Sequence, residues 1–463
     1  MDIRDYYGKR IHFIGIGGSS MSGLAKLMLW HGCVVSGSDR SANHKTEALE
    51  KAGVSVYSGH KAENVLGKDL VVYSAAISYD NPERAAAREN GIPEIERCEL
   101  LGLLMKHYEN TIAVSGTHGK TTTTAMLSSV FMAAGEDPTI HIGGELKLIG
   151  GSTRLGKGDA FICEACEYNG SFLKFLPDRA IILNIDEDHL DYYKDIDDIS
   201  AAFEKFASLV PEKGCVFGNG DDARIRKILD GLLCRTCTFG FEPQNMIRAE
   251  NISFDEDGRA AFTATYFGHP LAEIELSVAG EHSIMDALAV IAVANDCQLP
   301  MNVVAQALDA FTGAERRYEL TSVTDGVRVY TDYGHNPTET KTVLSVARKQ
   351  ARQKLFAVLQ PHTFSRLKTL FDGFIHCCDD ADEVLVTDIC AAREVDPGDI
   401  NSRMLVEAML REGVNAHYTP TFDDAEEYLR AHWEAGDSVV TLGCGDIYLL
   451  NEQIASHGDT KKE

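Results

Sequence analysis

Basic residues are scarce relative to acidic ones in this sequence of 463 residues, in which 44 lysines and arginines face 70 aspartates and glutamates. The resulting net charge is −26 at neutral pH. Proteins whose main partner is DNA, RNA or an anionic membrane surface carry an excess of positive charge on the binding face. The composition therefore argues against these partners, while a local basic site for a small phosphorylated ligand stays possible.

Long apolar runs are also absent. The best one, Ala287–Ala294, is far shorter than the ~20 residues that a membrane-spanning helix needs. The N-terminus carries Asp2 and Asp5 and lacks the apolar segment of a secretory signal peptide. We therefore expect a cytoplasmic protein with no membrane partner. The twelve cysteines are then expected to be free thiols, because the cytoplasm keeps thiols reduced.

Internal repeats and low-complexity segments are missing as well, and the length predicts two to four domains. Residues 1–108 alternate between strand patterns (RIHFIGI, CVVSGSD, DLVVYSAAI) and helix patterns, which is typical of a parallel, Rossmann-like α/β sheet. Residues 109–314 continue with the buried-type strands NTIAVSG, DAFICEA and RAIILNI. Polar and apolar residues alternate on both sides of the turn DEDG, which predicts antiparallel strands beside this central parallel sheet.

Residues 315–463 predict a third domain, again α/β and Rossmann-like. Its strands VRVYTDY, KLFAVLQ, EVLVTDI and SVVTLGC each run into polar or glycine-rich sequence. Ligands of open α/β sheets bind just beyond the carboxyl ends of the strands. We therefore expect a substrate face for an anionic small molecule, built from the segments DYGHNP, QPHTFSR and GCGD.

The segment AVSGTHGKTTTTAML reads as a strand, a glycine turn and a helix start. It departs from the P-loop pattern G-x-x-x-x-G-K-[ST], because Val114 stands where that pattern has its first glycine. The chemistry is kept: backbone N–H groups and a helix N-terminus can hold phosphate oxygens, a lysine can reach the outer phosphates, and a threonine can coordinate Mg²⁺. The predicted nucleotide-binding residues are Gly116, Thr117, His118, Gly119, Lys120, Thr121 and Thr122.

Another glycine turn follows the first strand, with the sequence Gly15-Ile-Gly-Gly-Ser-Ser20. The dinucleotide fingerprint G-x-G-x-x-G requires glycine at position 20, where this sequence has serine. Asp39 ends the second strand, where a ribose-binding acid belongs. The pattern fits a nucleotide diphosphate and is weak support for NAD, and a purely structural strand–helix turn remains an alternative.

Candidate metal ligands stand after two central strands. Glu164 ends the strand DAFICEA, where an acid could face a Mg²⁺ held by Thr121. His189 follows RAIILNI. Oxygen ligands suit Mg²⁺, and imidazole is a less usual partner, so a surface or core role for His189 stays open. The predicted metal ligands are Thr121, Glu164 and His189.

Five segments, GTHGKTTTT, NIDEDHLDYY, ERRYE, DYGHNPTE and QPHTFSR, together resemble the Mur ligases of bacterial cell-wall synthesis. The resemblance implies a UDP-sugar domain, an ATPase domain and an amino-acid domain. One glycine turn would hold the UDP diphosphate and the other the ATP phosphates. The opening GIGGSSMSGLA implies, within that family, an ATP- and Mg²⁺-dependent ligase that joins L-alanine to UDP-N-acetylmuramate through an acyl phosphate, in peptidoglycan precursor synthesis.

The resemblance also implies individual roles by position. Arg317 matches an arginine that contacts the γ-phosphate, and Asp332 matches the acid that holds the ATP ribose. The region that meets the substrate carboxylate and the amino acid contains Tyr333, His335, His362 and Arg366. The expected contacts to the UDP-sugar come from Gly15, Gly17, Gly18, Ser19, Asp39 and Ser74.

Some positions depart from the family pattern. The adenine-binding segment usually reads G-x-H-N-x-x-N, whereas this chain has GEHSIMDA, with Ser283 and Asp286 in place of two asparagines. Asn336 stands where a second histidine is common, and Ser20 replaces a glycine. The departures change the side chains expected to contact adenine but remove no phosphate or metal ligand.

Three other functions remain as alternatives at this point. The first is a ligase that attaches a ready-made peptide to the same nucleotide sugar, which would need a roomier third domain. The second is an ATP-driven switch without ligase chemistry. The third is a nicotinamide oxidoreductase built on the first glycine turn, against which Ser20 and the P-loop-like turn both count. We expect a monomer or a weak homodimer, and the sequence does not decide between alanine, glycine and serine as the amino acid.

Overall fold

A computed structural model describes residues 1–189, 192–392, 394–458 and 460–461 of the chain. It divides into two compact units. The N-terminal unit comprises Met1–Ser253, Ala261–Ser277 and Glu281–Thr312, and the C-terminal unit comprises Phe254–Ala260, Val278–Gly280 and Gly313–Glu463. Each unit is described by itself below.

The first sheet of the N-terminal unit is parallel throughout, in the order β3-β2-β1-β4-β5. Its strands are β1 (Arg10–Ile14), β2 (Val34–Asp39), β3 (Ser55–Ser58), β4 (Leu70–Tyr73) and β5 (Glu94–Glu96). Its helices are α1 (Ser19–Trp30), α2 (His44–Lys51), α3 (Pro82–Glu89) and α4 (Arg97–Met105).

Helix α1 fixes the position of the first glycine turn. The central strand β1 is buried except at its first residue, as expected for a parallel strand covered on both faces. The chain then turns through Gly15–Gly18 into α1, which buries Met21, Leu24 and Met28. Gly32, two residues after the end of α1, has a φ of +81°, the left-handed conformation in which glycine commonly ends a helix.

The second sheet of the N-terminal unit has the order β15-β14-β13-β12-β11-β10-β6-β9-β7-β8. Its strands are β6 (Asn110–Ser115), β7 (Thr139–Leu146), β8 (Gly151–Arg154), β9 (Ala160–Glu164), β10 (Arg179–Ile182), β11 (Cys215–Asn219), β12 (Arg235–Gly240), β13 (Ile247–Phe254), β14 (Arg259–Tyr266) and β15 (His269–Ala279). Its helices are α5 (Lys120–Ala133), α6 (Ile196–Ala207), α7 (Ala223–Asp230), α8 (Glu281–Asp296) and α9 (Met301–Asp309).

This second sheet is mixed. Strand β6 pairs in parallel with β9 and β10, so the carboxyl ends of all three lie at the same edge. Strands β7 and β8 pair antiparallel. The predicted hairpin lies at β13 and β14, whose turn is closed by a hydrogen bond from Gly258 N to Asp255 O.

The sheet of the C-terminal unit has the order β20-β19-β18-β21-β17-β16-β22. Its strands are β16 (Glu319–Thr324), β17 (Val327–Asp332), β18 (Leu355–Leu359), β19 (Glu383–Val386), β20 (Ala416–Tyr418), β21 (Ser438–Leu442) and β22 (Thr460–Lys461). Its helices are α10 (Pro337–Gln350), α11 (Phe364–Thr369), α12 (Phe371–Ile375), α13 (Ser402–Arg411), α14 (Phe422–His432) and α15 (Tyr448–Ser456). Strands β17 to β21 pair in parallel, and β16 runs antiparallel to β17.

The predicted α/β class with three sheets, the central one mixed, is confirmed. The proposed domain boundaries after residues 108 and 314 remain predictions. The sequence analysis missed the short strands β3 and β5. In the part of the chain that the structure describes, no helix is long and apolar enough to cross a membrane.

Candidate functional site

The first glycine turn lies at the carboxyl ends of β1, β2 and β4. Gly15 has a φ of +81°, which favours glycine, and its N–H donates to Ser38 O at 2.8 Å. The side chain of Asp39 accepts a hydrogen bond from Gly17 N at 2.8 Å. A Cβ at Gly17 would lie 2.9 Å from Asp39 Oδ2, and a Cβ at Gly15 would lie 3.8 Å from Ser74 Oγ. The structure therefore brings the predicted turn, acid and serine together.

Two serines at the start of α1 each contact a basic side chain. Lys45 Nζ donates to Ser19 Oγ at 2.5 Å, and Arg97 Nη1 donates to Ser20 Oγ at 3.1 Å. The N-terminus of a helix also carries partial positive charge. Lys45 and Arg97 add full positive charges at the same place, so this turn is suited to an anion such as a diphosphate. Neither basic residue was singled out in the sequence, because both lie far from the glycines along the chain.

The second glycine turn joins β6 to α5. Gly119, with a φ of +81°, precedes the first helical residue, Lys120. Lys120 Nζ donates to the backbone oxygens of Gly116 and Thr117 at 2.5 and 2.9 Å. The lysine thus lies against its own turn, as a phosphate-binding lysine requires, although the first glycine is displaced from the P-loop pattern. Thr122 is half-buried in the first turn of α5.

The segment after β10 holds the second turn in place. His118 N donates to Asn184 Oδ1 at 2.7 Å, and Asn184 Nδ2 donates to His118 O at 3.1 Å. Asp186 N donates to Thr117 Oγ1 at 2.9 Å. These bonds fix the turn without using the backbone N–H groups of Gly119 and Lys120, which lie where phosphate oxygens are expected.

Thr121 and Glu164 are adjacent at the helix start. Thr121 Oγ1 donates to Glu164 Oε2 at 3.1 Å, and Gly143 N donates to the same oxygen at 2.8 Å. The structure thus brings two predicted metal ligands together. A hydroxyl and a carboxylate form a donor set that suits Mg²⁺.

Glu167 is a carboxylate that the sequence analysis missed. It is 2% exposed, and its Oε2 lies 3.0 Å from Lys120 Nζ. His189 Nε2 lies 3.9 Å from Glu167 Oε1, so the third predicted metal ligand approaches this carboxylate. Glu167 follows β9 by three residues and lies in irregular chain, where strand-end reasoning gives no signal. Within the described residues, no three His, Cys, Asp or Glu side chains form a metal-binding cluster on their own.

Helix α8 approaches the second turn through Asp286. Thr123 Oγ1 donates to Asp286 Oδ1 at 2.9 Å, and a Cβ at Gly119 would lie 2.8 Å from the same oxygen. Ser283 is buried in the same helix. Asp286, which stands where the family pattern has asparagine, is therefore hydrogen-bonded to α5 beside the second glycine turn.

In the C-terminal unit, Asp332 ends β17 and is almost fully buried. Its carboxylate accepts hydrogen bonds from Tyr318 N at 2.7 Å and Gly334 N at 2.6 Å. Burial raises the pKa of Asp332 to about 6, and the charge of Arg317 opposes that shift. At pH 7 the carboxylate is therefore ionised and can accept further hydrogen bonds from a sugar hydroxyl.

Tyr333 follows Asp332 and is flanked by two arginines. The guanidinium carbons of Arg316 and Arg317 each lie 5.0 Å from the centre of the Tyr333 ring. Arg316 also donates to Gly443 O at 2.7 Å and to Gly445 O at 3.0 Å. Arg316, which the sequence analysis did not select, thus connects the predicted segments ERRYE, DYGHNP and GCGD.

The remaining predicted residues lie beside these. The rings of His335 and His362 are 6.4 Å apart, centre to centre, and Arg366 Nη1 donates to His362 O at 2.8 Å. Burial, together with the charge of Arg366, lowers the pKa of His362 to about 4. His362 is therefore neutral at pH 7. Arginine, histidine and tyrosine side chains are thus grouped at the carboxyl ends of β17 and β18, where ligands of open sheets bind.

The N-terminal unit carries two glycine turns, and the C-terminal unit groups arginine, histidine and tyrosine side chains at the carboxyl ends of β17 and β18. This combination is the one expected from the resemblance to the Mur ligases. The model described as "Mur ligase family, catalytic domain" matches residues 10–109, "Mur ligase middle domain" matches residues 114–294, and "Mur ligase, glutamate ligase domain" matches residues 316–445. Together these matches span most of the chain.

Relatives of known name agree with the family models. The UDP-N-acetylmuramate–L-alanine ligase of Acetivibrio thermocellus is 47% identical over 445 residues, covering 96% of this chain and 95% of that protein. The crystal structure of the UDP-N-acetylmuramate–alanine ligase of Thermotoga maritima superposes with a TM-score of 0.83 at 27% identity, covering 97% of this chain and 99% of that one. A murein peptide ligase of Psychrobacter arcticus has the same fold, with a TM-score of 0.74 at 24% identity over 97% of this chain and 98% of that one.

The chain belongs to the Mur ligase family. The similarity to named L-alanine ligases at this level of identity favours the ligase reading over the switch and the oxidoreductase. The 47% identity to a named L-alanine ligase over 96% of the chain also favours addition of an amino acid over addition of a ready-made peptide.

Proposed function

We propose that the chain is an ATP-dependent ligase that forms an amide between L-alanine and the lactyl carboxylate of UDP-N-acetylmuramate. The observation that carries the proposal is the presence in one unit of two separate glycine turns, Gly15–Ser20 and Gly116–Thr121, each leading from a strand into a helix start that suits phosphate. A single nucleotide would need only one of them. The names of the relatives supply the identity of the nucleotide sugar and of the amino acid.

The first turn would bind the diphosphate of the nucleotide sugar. Gly17 lets the backbone approach the phosphates closely, and Lys45 and Arg97 supply positive charge beside the start of α1. Asp39 ends β2, where an acid can accept hydrogen bonds from a ribose. Gly15, Gly18, Ser19 and Ser74 complete the predicted set.

The second turn would bind ATP. Lys120 would leave the backbone oxygens of Gly116 and Thr117 and contact the outer phosphates. Asp332 and Arg317 are assigned to the ATP ribose and the γ-phosphate. The C-terminal face with Tyr333, His335, His362 and Arg366 is assigned to the carboxylate substrate and the amino acid, because its arginines suit carboxylates.

The reaction needs an activated carboxylate, because an ionised carboxylate is a poor electrophile. A lactyl carboxylate oxygen forms a bond to the γ-phosphorus of ATP, the bond from that phosphorus to the bridging oxygen breaks, and ADP leaves with the electron pair. The amine of L-alanine then forms the C–N bond, loses one proton, and phosphate leaves with the electrons of the broken C–O bond. Positive charge from Lys120 and Arg317 would lower the cost of bringing anions together.

Mg²⁺ is the expected metal. The donor set fits, because a threonine hydroxyl and carboxylates are hard oxygen ligands, and Mg²⁺ typically takes one or two carboxylates plus phosphate oxygens and waters. Thr121, Glu164 and His189 would hold it, with Glu167 as a further candidate. When bound, the ion would neutralise negative charge on the phosphates.

Three further statements belong to the proposal. The domain boundaries are set after residues 108 and 314, the site of action is the cytoplasm, and the protein is a monomer or weak homodimer. The boundary after residue 314 falls between the family matches that end at residue 294 and begin at residue 316. The boundary after residue 108 lies one residue before the end of the match to residues 10–109.

An isotope experiment tests the reaction. UDP-N-acetylmuramate carrying ¹⁸O in its lactyl carboxylate is incubated with the enzyme, ATP, Mg²⁺ and L-alanine. Transfer of one ¹⁸O to inorganic phosphate is expected, because the oxygen that attacks phosphorus leaves with it. Label in AMP would show adenylation instead, and phosphate release with the label kept in the sugar would show a simple ATPase. Parallel reactions with glycine, L-serine and a tripeptide in place of L-alanine identify the amine substrate.

A further inference from the structure

Strand β7 of the second sheet contacts the first glycine turn. His141 Nε2 lies 2.8 Å from Ser20 Oγ, in the first turn of α1. The residue that departs from the glycine fingerprint therefore has a hydrogen-bond partner in the neighbouring sheet. On its other side the same hydroxyl oxygen accepts a hydrogen bond from Arg97 Nη1 at 3.1 Å.

The surroundings of His141 set the direction of these hydrogen bonds. The ring is 3% exposed, and its Nδ1 lies 3.1 Å from Thr153 Oγ1. Burial, with a smaller contribution from the charge of Arg97, lowers the pKa of His141 to about 3, so the ring is neutral at pH 7. A neutral imidazole has one donor and one acceptor nitrogen. Since Arg97 can only donate to Ser20 Oγ, the serine hydroxyl is free to donate to His141 Nε2, and Nδ1–H then donates to Thr153.

Helix α1 packs directly on these residues through Gly23. A Cβ at position 23 would overlap Thr153 Oγ1 and would lie 3.2 Å from His141 Cε1. The helix therefore has no room to move toward the hairpin of β7 and β8. His141 thus meets Ser20 in a fixed geometry.

A second contact of β7 lies beside the first. Glu145 Oε1 is 3.7 Å from Lys45 Nζ, the group that donates to Ser19 Oγ. Both cations beside the turn are thus connected to β7, Arg97 through Ser20 and His141, and Lys45 through Glu145. Two cations beside a helix N-terminus repel each other and the helix dipole, so they need such partners to stay in place before an anion binds.

We propose that His141 is a positioning residue for the diphosphate of the nucleotide sugar, and that it acts by holding Ser20 and, through Ser20, the guanidinium of Arg97 at the start of α1. The inference rests on the proposed function for the identity of the anion. Its physical basis is preorganisation: a cation that is already in place loses less side-chain freedom when the ligand binds. The effect should appear in the affinity for the nucleotide sugar and not in the chemical step.

The test compares His141→Phe, which keeps a ring but removes both hydrogen bonds, with Ser20→Ala, which removes the contact from the other side. Each should raise the Kd for UDP-N-acetylmuramate, measured by calorimetry, about tenfold. The KM for ATP and the kcat at saturating substrates should stay within about twofold. The double variant should bind no more weakly than either single variant, because both remove one interaction. His141→Gln, whose side-chain oxygen can still accept from Ser20, should recover most of the affinity.

Thr139→Val is the matched control. Thr139 is fully buried in the same strand, and its hydroxyl accepts a hydrogen bond from Tyr108 OH at 3.0 Å. The variant should lower the Tm but leave the Kd unchanged. The inference is overturned if Ser20→Ala or a folded His141→Phe binds the nucleotide sugar as the unaltered protein does, or if Gln gives no recovery. Failure of the unaltered protein to bind UDP-N-acetylmuramate would overturn the proposed function, and the inference with it.

Discussion

Lys120 and Glu167 form a buried ion pair, with Nζ 3.0 Å from Oε2 and side chains 12% and 3% exposed. Burial is the largest single effect and would lower the pKa of Lys120, but the raising effects of its neighbours, led by the negative charge of Glu167, together outweigh it, and the pKa is raised. The lysine is therefore charged throughout the physiological range. In this arrangement it is bonded to its own turn and to Glu167, and phosphate oxygens would compete for the same ammonium group.

Replacement of Lys120 by methionine should abolish most turnover, because the side chain keeps its length but loses the charge that stabilises the transferring phosphate. A loss of about 10²–10³-fold in kcat is expected. Phosphate release in the presence of UDP-N-acetylmuramate and L-alanine measures it. Lys174→Met, which removes an exposed lysine of the same unit, is the control and should keep full activity. A Lys120→Met variant with near-normal kcat would refute the assignment of this turn to ATP.

Glu164 and Glu167 can be distinguished by their Mg²⁺ requirement. Glu164→Gln and Glu167→Gln keep the shape of each side chain but remove a charged oxygen ligand. If the replaced residue holds Mg²⁺, the variant should need an Mg²⁺ concentration about tenfold higher or more for half-maximal rate, with little change in the KM for the nucleotide sugar. His189→Ala belongs in the same series. Identical Mg²⁺ titrations for a variant and the unaltered protein would assign that residue a structural role.

Gly17→Val should weaken binding of the nucleotide sugar and leave ATP binding nearly unchanged. A Cβ at this position would lie 2.8 Å from Asn43 Nδ2 and 2.9 Å from Asp39 Oδ2, so the turn would have to move away from the diphosphate position. Calorimetry with each nucleotide measures the two affinities separately. Gly53→Ala, a glycine with open space around it, controls for a general effect of losing a turn glycine. The reverse pattern, weaker ATP binding with normal sugar binding, would exchange the assignments of the two turns.

Stability at mildly acidic pH should depend on His141. Its pKa is about 3 in the folded protein and near 6.5 in the unfolded chain, so between these values only the unfolded chain takes up the proton. Acid therefore favours unfolding, and the contribution of this ring to stability falls by about 2 kcal/mol between pH 7.5 and pH 5. His141→Gln should lose less stability over that range. Thermal unfolding at pH 7.5, 6 and 5 measures the difference.

Parallel pH profiles for the unaltered protein and His141→Gln would contradict this prediction. They would mean that the ring takes up a proton equally well in the folded and unfolded chain. A neutral ring is part of the argument for the direction of the Ser20 hydrogen bond, so the measurement also bears on that geometry.

Much of the fold could be predicted because the parallel strands are buried on both faces and appear in the sequence as apolar runs. Strands β1, β6, β9 and β10 all have this character; the first three lead directly into a predicted turn or residue, and His189 follows β10 by seven residues. Strand β3 could not be found this way, since most of its residues are exposed and its position at the sheet edge depends on pairing with β2.

The residues of the candidate site likewise fall into those that a local sequence pattern predicts and those that depend on contacts between distant parts of the chain. Glu164 was predictable because it ends a strand beside the P-loop-like turn, whereas Glu167 depends on how the irregular chain after β9 folds back toward Lys120. In the sequence, His141 is one of three polar residues in β7 and lies between two isoleucines. Its importance follows from a contact with Ser20, 121 positions away, which no local pattern encodes.

The absence of a side chain at Gly23 has a consequence for protein engineering. Because any larger residue there would overlap Thr153 Oγ1, the first sheet with its helices is not a cassette that can be grafted freely onto the second sheet of another protein. In a chimera, α1 would keep its packing against β7 and β8 only if positions 20 and 23 came from the same parent as positions 141 and 153. We therefore expect chimeras between family members to fold only when the residues at positions 20 and 141, and at positions 23 and 153, are compatible.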